Sequence, residues 1–210
     1  MAMVRQFDEE AVLDRVLEVF WTRGWQATSM ADLAEATHVQ RGSLYHAYGS
    51  KERLFQLAFD RYAARVLVES QQALEVLSAP LALKRFFDVS IASMTADIPA
   101  RGCFTTKTAV EIDALGEPMQ TRVRELLEQL ERVIAAALSH DSVQPSLTVP
   151  PDIAAQTIIA FTRGLAVMER IYRDPERLQA LAAQVTMLLV RDPADGIDAH
   201  PRGGRDRDLH

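Results

Sequence analysis

The sequence predicts an all-α fold. Apolar residues recur at every third or fourth position through most of the chain, and no run of alternating β-branched residues marks a strand. Helix-start and helix-stop residues punctuate that pattern at Asp8, Ser29, Ser50, Pro80, Gly102, Gly116 and Pro151. No repeat with a period of about 20 to 50 residues is present, which argues against a solenoid. At 210 residues the chain is long enough for a sizeable core, in one domain or in two small ones that share a helix. The pattern favours two: residues 1–50, a larger unit over 51–190, and a flexible tail over 191–210 that is rich in Asp, Gly, Pro and Arg. About nine helices are expected in all.

The first helix should run from Asp8 to Arg23. Asp8 can cap it, Glu9 and Glu10 complement its dipole, and Val12, Val16, Val19 and Phe20 form its inner stripe before Gly24 ends it. Trp25 then plugs a small three-helix core. Ser29 caps a second helix with Met30, Leu33 and Ala34 on one face, and Thr37-His38-Val39 makes a tight turn. A third helix from about Gln40 to Tyr48 buries Leu44 and Tyr48 and turns Gln40, Arg41, Ser43, Tyr45 and His46 outward. Ser50 starts a long helix to about Leu77, in which Leu54, Leu57, Ala58, Tyr62, Arg65 and Val66 pass from the first unit to the second.

Pro80 opens a helix through Phe86, Phe87, Ile91 and Met94 that ends near Pro99, and Gly102 precedes one from Cys103 to Ile112. After Gly116, Glu117 to about Ser139 carries Leu126, Leu127, Leu130, Val133, Ile134, Ala137 and Leu138 on one face. Residues 140–151 form a loop, and Pro151-Asp152 makes the first turn of the next helix.

The last two helices each carry two apolar seams. Ala154, Ile158, Phe161, Leu165, Met168 and Tyr172 lie beside Ile153, Thr157, Ala160, Gly164, Val167 and Ile171. Leu178, Leu181, Val185 and Leu188 likewise lie beside Ala180, Ala183, Met187 and Val190. Two seams need two partners, so a homodimer through these helices is favoured over burial inside one protomer.

Two short helices joined by a tight turn are what inserting a helix into a DNA groove requires. From Val12 to Leu54 the ordered set Val12, Val16, Phe20, Gly24, Trp25, Thr28, Leu33, Ala34, Val39, Gly42, Leu44, Tyr45, Tyr48, Ser50, Lys51, Glu52 and Leu54 resembles the N-terminal domain of the TetR family of bacterial transcriptional regulators. It covers roughly a fifth of the chain, and its weight lies in the order of the set instead of any one residue. The resemblance implies an N-terminal helix-turn-helix DNA-binding domain and a larger helical domain for effector binding and dimerisation. It implies a ligand-responsive repressor that binds a palindromic double-stranded operator as a homodimer. An effector in the second domain would swing the helix that begins at Ser50.

On that reading Gln40, Arg41 and Ser43 face base edges or neighbouring phosphates, with Gly42 between them, while Thr28, Tyr45, His46 and Lys51 contact the backbone. Ser29 belongs to the same DNA-binding set, and Thr28 and Ser29 also serve as caps. The chain departs from the family at Thr37-His38, where Ala-Gly is usual, and at Gln40, where a Ser or Thr cap is usual. A His in a turn position with positive φ would be strained by roughly 1 kcal/mol.

The formal net charge of −6 opposes nucleic acid at first sight. Residues 1–62 hold seven bases against nine acids, yet no acid lies between Ala36 and Lys51, where Arg41, Lys51, His38 and His46 are found. A small basic footprint on an acidic body implies modest non-specific affinity and reliance on dimerisation. Arg202, Arg205 and Arg207 in the tail read as solvated charges. Hydrophobic residues at 48% and charged ones at 25% are ordinary for a soluble globular protein; no apolar run reaches the ~20 residues of a membrane span, and a cytoplasmic location is expected.

Enzyme signatures are missing. There is no Gly-x-Ser-x-Gly, no phosphate-binding glycine loop and no Cys-x-x-Cys, and the histidines at 38, 46, 140, 200 and 210 lack metal-ligand spacing, so no enzyme, metal or cofactor is expected. Glu111 and Asp113 read as helix-surface charges. Rivals to the regulator are a small-molecule enzyme or carrier with a helical cavity, and a protein-interaction adaptor.

Cys103 is the single cysteine, which excludes an intrachain disulfide. It stands at an expected helix N-terminus with Lys107 four residues on, where a thiolate is favoured. Arg101-Gly102-Cys103 with Ala109, Glu111 and Pro118 also resembles a TetR subgroup, some of whose members sense electrophiles or oxidants through a cysteine. Two readings stand: a sensor thiol, or a small residue packing one helix on another. Packed as the resemblance implies, Phe86, Phe87, Met94, Cys103, Phe104, Phe161 and Met168 would line a pocket for an apolar or aromatic effector, or serve as core.

Overall fold

The computed structural model describes residues 7–97 and 100–191, and among these it holds ten α-helices and no strand. The expected tail beyond Arg191, with its three arginines, and the expected helix end near Pro99 lie outside the described residues.

Local signals account for the helix starts. Asp8 caps α1 (Glu9–Arg23) by accepting hydrogen bonds from the amides of Glu10 and Ala11 at 3.0 and 3.3 Å. Ser29 and Asp32 form a reciprocal capping box on α2 (Met30–Thr37), and Ser50 accepts from the Arg53 amide at the head of α4 (Lys51–Leu74). Between them α3 spans Arg41–Tyr48. The body follows as α5 (Ala79–Thr95), α6 (Phe104–Val110), α7 (Ile112–Leu115), α8 (Glu117–Leu138), α9 (Pro151–Tyr172) and α10 (Pro175–Leu189). A 3-10 turn at Gln144–Ser146 and a single antiparallel bridge between Leu147 and Val190 close the α8–α9 loop onto the end of α10.

Three expectations need correction. The helix expected over Cys103–Ile112 breaks at Glu111 into α6 and α7. The long helix stops at Leu74, three residues short of Leu77. And α1 buries two stripes, because Leu17 and Trp21 go inside beside Val12, Val16 and Phe20 while Val19 stays half-buried. That second stripe is what lets α1 pack on α4 and reach the body.

Helix α4 ties the molecule together. It packs on α1, on α5 and on α8, while α8 packs on α9 and α10 on α5. Arg61 of α4 holds Asp14 of α1 through two hydrogen bonds, at 2.5 and 2.8 Å, and keeps that carboxyl below the usual carboxylate range. Phe55, Phe59 and Tyr62 of α4 join Trp21 and Phe104 in one aromatic cluster at the junction, with neighbouring ring centroids 5.1 to 6.0 Å apart.

His38 ends α2 in the left-handed region, at φ 54° and ψ 26°, with its side chain exposed. A left-handed L-residue costs about 1–2 kcal/mol, against about 0.5–1 kcal/mol for the extra freedom a glycine has when unfolded. His38→Gly is therefore expected to raise the melting temperature by ~2–4 °C in a thermal scan. A lower melting point would mean that the His38 side chain stabilises the turn.

Candidate functional site

Helix α3 is anchored from inside and bare outside. Leu44 is fully buried and Tyr48 buried beside it, while Gln40, Arg41, Gly42, Ser43, Tyr45 and His46 are exposed. The Arg41 guanidinium lies 5.5 Å from the centre of the Tyr45 ring, so the two side chains share one ridge. Gln40 makes no side-chain cap bond, which leaves the first amides of α3 without a local side-chain acceptor and available to an anion. A Cβ on Gly42 would meet nothing within 4 Å, so the protein's own packing does not require glycine at this exposed helical position. Glycine there lowers helix stability by roughly 1 kcal/mol relative to alanine.

Two residues expected at the DNA backbone have internal positions instead. Thr28 is buried and its hydroxyl donates to the Gly24 carbonyl at 2.7 Å, because the turn folds that short side chain back on the end of α1. Lys51 donates to the Trp25 and Thr28 carbonyls at 2.9 and 2.8 Å, with its ammonium 3.9 Å from the centre of the Trp25 ring. It clamps the α1–α2 turn to the head of α4. Ser29 is occupied by its cap.

The aromatic set expected to line one pocket is divided among packed regions. Phe104 belongs to the junction cluster, Phe86 and Phe87 pack edge-on at 5.7 Å, and Phe87 meets Phe161 at 6.0 Å. Phe86, Phe87, Met94 and Phe104 are buried, and Phe161 and Met168 are partly buried against the same core. Side chains of this shape fill their own spaces, so they are core. Two of the clefts lie beside this core: one of about 700 Å³ between α4 and α5, lined by Arg65, Glu69, Arg85, Ser93 and Arg101 among others, and a groove of about 630 Å³ between α5 and α10, to which Phe87 alone of the aromatic set contributes.

Cys103 sits at the head of α6, partly buried, with its sulfur 4.0 Å from the Tyr62 hydroxyl, which accepts a hydrogen bond from Thr105 at 3.1 Å. Burial pushes the thiol up. The nearby Arg163 guanidinium, the Thr106 hydroxyl and amide and the Tyr62 hydroxyl outweigh it and hold the thiol below its ordinary value. Burial and the adjacent sulfur push the Tyr62 phenol up in turn. Arg163 donates from one nitrogen to Thr162 at 3.1 Å, while its Nε and Nη1 are buried without a hydrogen-bond partner.

Sequence reasoning singled out neither Trp21 nor Arg163, and two readings need correction: Glu111 is no plain helix-surface charge, since its carboxylate accepts the Trp25 and Gln26 amides, and Lys107, expected beside the thiol, donates to the Trp21 carbonyl. The i, i+4 spacing of Leu17 and Trp21 was a usable signal for the first. Nothing in the local pattern marks Lys107 or Glu111 as reaching another unit. Arg163 is in register with Gln156 and Arg170, seven residues to either side, so it reads as part of a polar stripe and nothing in the pattern singles it out.

An anchored helix with a bare polar ridge, carried by a three-helix unit on a larger all-helical body, defines a helix-turn-helix DNA-binding protein. Comparison with known proteins narrows the class. Residues 12–58 match the family of bacterial regulatory proteins named for TetR, and residues 80–185 match the tetracyclin repressor-like C-terminal domain. The chain belongs to the TetR family and is a transcriptional regulator.

It is 26% identical to the HTH-type transcriptional repressor ComR of Escherichia coli (strain K12) over 186 residues, which cover 87% of this chain and 89% of ComR. It is 24% identical to the HTH-type transcriptional repressor DhaR of Mycobacterium sp. (strain GP1), over 90% of this chain and 95% of DhaR. Reduced NemR of E. coli has the same fold, with a TM-score of 0.78 at 22% identity over 88% of this chain and 97% of that one. A cysteine-substituted form of the TetR-family regulator CifR, complexed with 26-bp double-strand operator DNA, superposes with a TM-score of 0.64 at 27% identity, over 86% and 95% of the two chains. Among the described residues, no helix is long and apolar enough to cross a membrane.

Proposed function

We propose that the chain is a ligand-responsive repressor. Residues 1–50 read DNA, residues 51–190 bind the effector and dimerise, and α4 connects the two. The exposed ridge of α3 carries this reading: Gln40, Arg41 and Ser43 meet base edges or phosphates, Tyr45 and His46 meet the backbone, and Gly42 permits close approach. Dimerisation through α9 and α10 places one α3 at each half-site of a palindrome. Its support is apolar surface left bare on the protomer, with Ile171, Met187 and Leu188 at 65%, 77% and 74% exposure beside exposed Ile153 and Val167. A small-molecule effector that prefers the released arrangement by about 3–5 kcal/mol would switch most of the population. The test is retention of the DNA duplex lying upstream of the chain's own gene in a gel shift at moderate salt. Retention by a dimer supports the reading, and failure to retain that duplex at micromolar protein overturns it.

A second reading makes Cys103 the sensor of an electrophile or oxidant. It is favoured by the cationic setting of the thiol, in particular the unpartnered Nε and Nη1 of Arg163. With N-ethylmaleimide as the probe, the thiolate adds to the alkene and the adjacent carbon takes a proton from water. Alkylation is expected to accelerate with pH through a midpoint below that of an ordinary thiol, and to release the duplex from wild-type protein but not from Cys103→Ala. Equal release from both proteins would remove the sensor role.

A further inference from the structure

Four hydrogen bonds run from the segment 102–111 to the end of α1 and the turn that follows it. The Trp21 indole donates to the Gly102 carbonyl at 2.8 Å, and Lys107 donates to the Trp21 carbonyl at 2.6 Å. The Glu111 carboxylate accepts the Trp25 amide on Oε2 at 2.8 Å and the Gln26 amide on Oε1 at 3.0 Å. Glu111 reaches that far because the helix breaks at it, between α6 and α7. Gly24 leaves the approach open, since a Cβ there would come within 2.9 Å of Glu111 Oε2.

The other side of the same turn is held by Lys51, which takes the Trp25 and Thr28 carbonyls. The α1–α2 turn is thus gripped on its amide side by the body and on its carbonyl side by α4. A carboxylate beside the C-terminus of α1 opposes the helix dipole, so stabilising α1 does not explain Glu111. Two charge-assisted hydrogen bonds to main-chain amides do what a hydrophobic contact cannot: they fix direction as well as distance. α2 and α3 continue from this turn, so its orientation on the body sets where α3 points.

We propose that Glu111 is a positioning residue for DNA binding, holding the tilt of the α1–α3 unit on the body through the α1–α2 turn. This rests on the reading of α3 as the DNA contact. The test uses full-length Glu111→Ala and Glu111→Gln, with amide hydrogen exchange and affinity for the upstream duplex as paired readouts.

In Glu111→Ala the Trp25 and Gln26 amides are expected to exchange at least about tenfold faster, with Val16 and Leu44 unchanged. Duplex affinity is expected to fall by about tenfold at unchanged dimer mass, through loss of preorganisation. Glu111→Gln keeps one acceptor oxygen, so it should protect one amide and restore part of the affinity; it carries the test if the alanine variant fails to fold. Released amides with unchanged duplex affinity would reduce Glu111 to a structural contact, and unchanged exchange would overturn the latch itself. Arg41→Ala separates the layers, since it should lose the duplex with Trp25 and Gln26 still protected. Wild-type protein that ignores the duplex would overturn the DNA reading, and the role of Glu111 with it, while the exchange result still stood.

Discussion

Arg41→Ala and Tyr45→Ala are each expected to abolish duplex retention without changing the mass of the dimer in light scattering. Both side chains are exposed on α3, whose buried anchors are Leu44 and Tyr48. A good Arg–base contact is worth about 1–3 kcal/mol, and a dimer loses it at both half-sites, so the expected weakening lies between about thirtyfold and about twenty-thousandfold. Tyr45 removes a backbone contact and also the ring beside which Arg41 rests. The salt dependence should separate the two kinds of contact: a lost phosphate contact flattens the slope of affinity against salt, whereas a lost base contact relaxes sequence preference. If either variant fell apart into protomers, the side chain would be a packing residue mistaken for a contact.

Val167→Glu or Met187→Glu is expected to convert the dimer to a monomer in sedimentation while circular dichroism stays helical. Both positions are exposed on the protomer, Met187 the more so at 77%, so little internal packing is lost. In a two-fold interface each substitution enters twice and sets unpaired carboxylates against apolar surface, which is strongly unfavourable. Duplex affinity should then fall by a factor of about 10²–10⁴, the advantage of holding two reading helices on one frame. A glutamate variant that remained dimeric would place the interface on another face.

Much of the fold could be read from local chemistry. The caps at Asp8, Ser29 and Ser50 and the Pro-led starts near 80 and 151 are short-range devices, and the structure has helices starting at or within a residue of each. The break at Glu111 was invisible because no Gly or Pro lies between Cys103 and Ile112. It accompanies hydrogen bonds to residues 86 and 85 positions earlier in the chain. The outer face of α3 was legible, since Leu44 and Tyr48 fix which side is inward. Thr28 and Lys51 were not, because a polar side chain beside a turn can reach outward or fold back, and composition does not choose between the two. The same holds for Phe86, Phe104 and their neighbours: an apolar pattern shows that a side chain avoids water, and leaves open whether it lines a void or fills one.

Trp21 and Trp25 are the only two indoles in the chain, and both stand at the seam between the α1–α3 unit and the body. Each ring has a cation against it, Arg101 at 4.1 Å from the centre of Trp21 and Lys51 at 3.9 Å from that of Trp25. Tryptophan emission from the unlabelled protein therefore originates at this seam alone, and a shift in its colour or brightness would follow the tilt of the reading head in real time, without any dye attached.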